Sequence, residues 1–182
     1  MKSRVLSFIL FAIGIGVFLS CADEQNFNQF DDLSIEPTIA SSIFYFESDE
    51  EFINSTGSGV FYTQSFTFQA FSEAFVSDNI LDGTIVYQVE NTTSKGLNIL
   101  VEFLDESGAV LDSELFIIAP EPSPLLERQI AYGNGDKDLD ILRNTSSIRV
   151  SGENLGDANS ISPIAAPKII LRSSAEFRLK LR

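Results

Sequence analysis

Asn134, Asp136, Asp138 and Asp140 stand at every second position of the segment GNGDKDLDI, so four oxygen-bearing side chains recur at a spacing with which a loop can gather a hard cation. The match breaks where a calcium loop is strictest. With Asn134 as first ligand, Leu139 falls on the position that needs glycine, and no glutamate stands at the twelfth position to close the shell with two oxygens. A solvated turn leading into a short helix is the preferred reading, calcium the weaker one, and no cofactor is expected. Adjacent acids also occur at Asp31 and Asp32, Glu50 and Glu51, and Asp105 and Glu106. Glycoside hydrolysis needs two carboxyl groups at a set separation with their protonation states pushed apart. Neighbouring acids in turn-like segments point apart into water instead. Asn54, Asn91 and Asn144 open Asn-x-Ser/Thr tripeptides, read here as polar turns.

The chain contains no histidine, no tryptophan and one cysteine, Cys21. Imidazole-assisted serine hydrolysis, thiol catalysis and zinc sites built on His or Cys are thereby excluded. No catalytic residue is assigned, and the expected role is non-enzymatic.

Cys21 has a different chemistry. Lys2 and Arg4 precede an uncharged apolar run from Val5 to Leu19, followed by Ser20 and Cys21, which is the layout of a secretory signal. The run is shorter than the roughly 20 residues that cross a bilayer, and acids rather than cations follow it. The ending Leu19-Ser20-Cys21 resembles the bacterial lipobox, with Phe18 where leucine is usual. That resemblance implies a signal peptide over 1–20, a cysteine acylated at its sulfur, and anchoring in the bacterial outer membrane on the periplasmic or the outer side. Each buried methylene contributes about 0.8 kcal/mol, so stable attachment takes more than one acyl chain, as a lipidated cysteine supplies. Residues 21–40 read as an acidic tether. Asp23 and Glu24 just after Cys21 resemble the acidic export signal of surface-exposed lipoproteins in the Bacteroidota.

Loss of Lys2 and Arg4 with the signal takes 12 bases to 10 against 26 acids, and the formal charge from −14 to −16. Between Cys21 and Ser94 there is no base at all, whereas Lys168–Arg182 holds five bases and one acid, Glu176. A body this acidic repels polyanions, so nucleic acid is not an expected partner. The expected partners are the membrane, through lipid on Cys21, and an envelope protein or glycan.

About 160 residues remain after the signal, enough for one core and short for two, so 41–182 is read as a single domain. In TIVYQVEN, Ile85, Tyr87 and Val89 share one face; in LNILVEFL, Leu97, Ile99, Val101 and Phe103 do the same. Such period-two patterns mark half-buried strands. The turn DESG and the returning AVLDSELFIIA make 97–119 a hairpin. Further strands are expected in SSIFYF, VFYTQSFTFQAF, LLERQIAY and SSIRVSGE. ESDEEF reads as an acidic break, SEAFVSDNILDG as a brief helix capped by Ser72, and DKDLDILRN as a second short helix. Eight phenylalanines between Phe44 and Phe75 are read as core. In the terminal KIILRSSAEFRLKLR, apolar residues alternate with bases, the pattern of an edge strand with one wet face.

About seven short strands with one or two helices predict an all-β antiparallel sandwich. The segment VYQVENTTSKGLNILVEFLDESGAVL resembles immunoglobulin-like modules, in which a strand ends at Asn before a hairpin with a Phe-Leu-Asp-x-x-Gly turn. The whole chain after the signal is similar to lipoproteins of flavobacterial type, which implies location and no particular activity. The expected function is a lipid-anchored binding or structural accessory module. A carbohydrate-binding accessory protein using exposed Phe or Tyr rings is the alternative.

Overall fold

The computed structural model describes residues 34–68, 74–121 and 123–181. The expected signal peptide 1–20, Cys21, the expected tether up to residue 33 and the expected Ser72 cap lie outside the described residues. Eight strands follow in order: β1 (Thr38–Asp49), β2 (Gly59–Thr67), β3 (Ile80–Asn91), β4 (Leu97–Leu104), β5 (Val110–Ile118), β6 (Leu126–Tyr132), β7 (Ser147–Asn154) and β8 (Lys168–Leu179). Three short helices interrupt them: α1 (Glu50–Thr56), α2 (Ala74–Asn79) and α3 (Leu139–Asn144). β1 begins at Thr38, inside the stretch read as a tether, and α1 forms where an acidic break was expected.

The strands form two four-stranded antiparallel sheets, β1-β8-β3-β6 and β2-β7-β4-β5. Within them β1 pairs with β8, β2 with β7, β3 with β6 and β4 with β5, so the chain is one long hairpin, nested four deep and wound into two layers. This is the arrangement of a jelly roll. It corrects the immunoglobulin-like expectation: there the second strand neighbours the fifth, whereas here β2 neighbours β7. The terminal strand is corrected too. β8 is not an edge but lies between β1 and β3, hydrogen-bonded on both sides.

The alternating pattern places the core where expected. Ile85, Tyr87 and Val89 of β3 face Leu97, Ile99, Val101 and Phe103 of β4, all essentially without solvent contact. Each such side chain contributes about 1.5–3 kcal/mol on burial. The β4–β5 hairpin is closed by Asp105, whose carboxylate accepts from the backbone N–H groups of Ser107 and Ala109, and by Gly108 at φ 83°. The phenylalanine-rich region lines the side of the sandwich where β1 meets β2. Phe44 stacks on Phe66 with ring centroids 5.6 Å apart, and Phe46 meets Tyr62 at 4.2 Å. Phe52 and Phe75 of that group are exposed.

Gly152 on β7 marks how tightly this aromatic side is packed, because a methyl group there would stand 2.6 Å from Cζ of Phe61 on β2. Overpacking of this kind costs about 1–3 kcal/mol. Gly152→Ala is therefore expected to lower unfolding stability by about 2 kcal/mol in urea titrations; an unchanged midpoint would show that Phe61 yields freely.

Candidate functional site

Four connections meet at the end of the sandwich away from the start of β1: the β1–β2 link with α1, and loops 92–96, 119–125 and 155–167. Loops at one end of a rigid sandwich are where binding residues concentrate. Here they are tied together by polar side chains that the fold buries.

Glu50, the first residue of α1, is 2% exposed. One carboxylate oxygen accepts from the backbone N–H of Ser94 at 2.6 Å and its hydroxyl at 2.7 Å; the other accepts from the N–H of Ser162 at 2.8 Å. Burial pushes this carboxyl up, but the bonds from Ser94 and Ser162 and the charge of Lys95 outweigh it and hold the group below its ordinary value. Lys95, whose side chain is 1% exposed, donates to Asp157 Oδ1 at 2.9 Å and to the carbonyl of Ser160 at 2.8 Å. Asp157 accepts in turn from the Ser160 hydroxyl and from the N–H groups of Ser160 and Asn159, which with Lys95 keep it ionised well below the usual carboxylate range.

Two asparagines complete the bracing. The Asn91 amide donates to the carbonyls of Lys95 and Ala119, and its Oδ1 accepts from the Thr93 N–H. The Asn154 amide donates to the carbonyls of Gly57 and Asp157. Glu50, Asn91, Lys95 and Asn154 thus bridge all four connections. A satisfied bond contributes about 1 kcal/mol net, whereas a buried group stripped of its partner costs about 1–3 kcal/mol, so the loops hold one arrangement. On this frame Phe52, Leu125, Leu155, Ile161 and Ile164 remain exposed, Ile161 to 77%. With Glu50 saturated by donors and Lys95 paired, the arrangement presents a shaped surface and does not set up proton transfer.

The acidic positions singled out in the sequence do not converge. The Asn134 side chain donates to Asp82, Asp138 caps α3 by accepting from the Asp140 N–H at 2.9 Å, and Asp140 pairs with Arg143 at 3.0 Å. Asp136 is exposed. Among the described residues no group of three or more His, Cys, Asp or Glu side chains could hold a metal. Of the adjacent acids, Asp105 serves its turn, Glu51 is exposed, and Glu50 is buried rather than directed into water. Cys21, Asp31 and Asp32 lie outside the described residues.

A different carboxylate pair, at alternate positions of β5, escapes the sequence pattern. Asp112 and Glu114 turn toward the β6 side, where Lys137 in the turn after β6 bridges them with two contacts of 2.6 Å, and Arg128 of β6 bonds Glu114 at 3.0 Å. Burial alone would lower Lys137, but the bonds to Asp112 and Glu114 raise it. Arg128 also lies 4.4 Å over the Phe116 ring. These charges close the seam between two edge strands; they do not face a cleft.

No family model and no curated protein matches the sequence. Among solved structures, the chain is similar to the VP2 subviral particle of infectious bursal disease virus, with 10% identity, 83% of this chain and 33% of that chain covered, and a TM-score of 0.34. It spans about a third of that protein's length. It is also similar to a Bacillus endospore appendage protein of disulfide-linked pili, with 12% identity, 88% and 97% coverage and a TM-score of 0.34. A nora virus structure gives 10% identity, 80% and 60% coverage and a TM-score of 0.40. Likeness at this level carries no argument about function.

The depressed Glu50 carboxyl makes stability depend on pH. Its contribution is present above the ordinary value of 4.5 and is lost as pH falls through the lower folded value, because the unfolded chain then binds the proton more readily. Chemical denaturation from pH 6 down to pH 3 is expected to show the wild type losing stability more steeply than Glu50→Gln. Parallel curves would remove Glu50 from the bracing.

Proposed function

We propose that this chain is a lipid-anchored protein of the bacterial cell envelope, held in the outer membrane through lipid on Cys21, and that it acts as a non-enzymatic binding or structural accessory module. The all-β sandwich supports this reading, and the observation that carries it is the braced loop end. Four buried polar side chains hold four loops in one shape and leave apolar residues on the outside. Surfaces of that kind suit association better than catalysis. Residues leading into β1 lie at the opposite end, since Thr38 pairs with Arg178 and Asp49 with Lys168.

The lipobox-like ending Leu19-Ser20-Cys21 is the sequence feature behind this location. The acidic body disfavours nucleic acid, leaving an envelope protein or a glycan as partner. A carbohydrate-binding role is the second reading, favoured by the Tyr45 ring, 53% exposed on the outer face of the first sheet.

Membrane fractionation of cells producing the full chain or Cys21→Ser tests the anchor. The wild type is expected in the membrane pellet and the variant in the soluble fraction. Equal partition of the two would remove the lipid from the account.

A further inference from the structure

The outer face of the first sheet carries a row of planar polar side chains in cross-strand register. Tyr45 on β1 lies opposite Arg172 on β8, Arg172 opposite Gln88 on β3, and Gln88 opposite Glu127 on β6. On the first three strands the flanking residues Phe44, Phe46, Leu171, Ser173, Tyr87 and Val89 are buried, so alternation turns the row outward. The β1–β8 register slips between Ser42 and Phe44. Bulges of this kind re-aim side chains and gather beside binding sites. Next to this one the surface is hollowed by about 400 Å³, lined by Ile43, Tyr45, Val86, Gln88, Arg172 and Ser174 among others. Small-ligand sites occupy about 300–1,000 Å³.

The chemistry of the hollow selects a ligand class. The Tyr45 hydroxyl donates to Glu47 at 2.5 Å, which fixes the exposed ring as an apolar face. The Gln88 amide donates to Glu127 at 3.0 Å, and Arg172 stands 3.6 Å from Glu90. Carboxylate oxygens thus sit beside amide and guanidinium N–H groups, acceptors next to donors, at a surface that also offers an aromatic ring. A sugar matches this pattern, because each hydroxyl both donates and accepts while the ring C–H face is apolar. An anionic ligand would instead meet Glu47, Glu90 and Glu127.

We propose that this hollow binds a neutral saccharide, with Tyr45 against a sugar ring, Arg172 and Gln88 bonded to its hydroxyls, and Glu127 holding the Gln88 amide in place. This deepens the carbohydrate-binding reading above and rests on it. The full chain is titrated by calorimetry with neutral gluco-, xylo-, manno- and galacto-oligosaccharides, alongside Tyr45→Ala, Arg172→Ala and Ile117→Ser, the last on the outer face of the other sheet. The wild type and Ile117→Ser are expected to bind the same saccharide equally, and the other two variants at least about tenfold more weakly, with unchanged unfolding transitions. Binding that survives both Tyr45→Ala and Arg172→Ala overturns this site and leaves the carbohydrate-binding reading standing. Absence of binding across the panel overturns both.

Discussion

β8, the last of the described strands, holds the first sheet together. β1 and β3 do not touch each other in that sheet; each is hydrogen-bonded to β8, which lies between them. Ile169, Leu171, Ala175 and Leu179 fill the inner face of β8, and its bases occupy the outer one. There Lys168 pairs with Glu47, Arg172 with Glu90, and Arg178 with Asp82 and Glu36. The basic terminus thus joins acidic strands on both sides of it. Pairing β1 with β8 also closes a loop of more than a hundred residues, an entropic cost met before the contacts that reward it.

The two open sides of the sandwich are closed by different chemistry. Where β1 faces β2 the closure is aromatic, with Phe44, Phe46, Phe61, Tyr62 and Phe66 interleaved. Where β5 faces β6 it is ionic, built from Asp112, Glu114, Lys137 and Arg128. Arg128 also donates to the backbone carbonyl of Leu115, so a polar group of that edge strand is taken up by the chain itself. Inward charges on an edge strand are a device against unwanted pairing with other chains.

The sequence displayed faces more clearly than neighbours. Alternation in β3 and β4 identified the strands and their buried sides, because period-two burial is local. It could not show that β8 sits inside a sheet, since a strand solvated on one face shows the same alternation at an edge or in the middle. The immunoglobulin-like resemblance failed for a related reason: it rested on one hairpin, and β4–β5 is the hairpin that both arrangements can contain. The braced loops were the least legible part. Glu50 looks like one acid in an acidic run, and Lys95 like a lysine in a polar turn. Their burial depends on Ser162 and Asp157, which lie 112 and 62 residues away. The Asx and Thr pattern in NTTSKG was the local hint that this turn is internally bonded.

Native-state hydrogen exchange tests the role of β8 most directly. If it holds β1 and β3 together, its backbone amides exchange only through global unfolding, with the same free energy and denaturant dependence as those of β3 and β4. Exchange of β8 through local fraying, while β1 and β3 stay protected, would contradict the account.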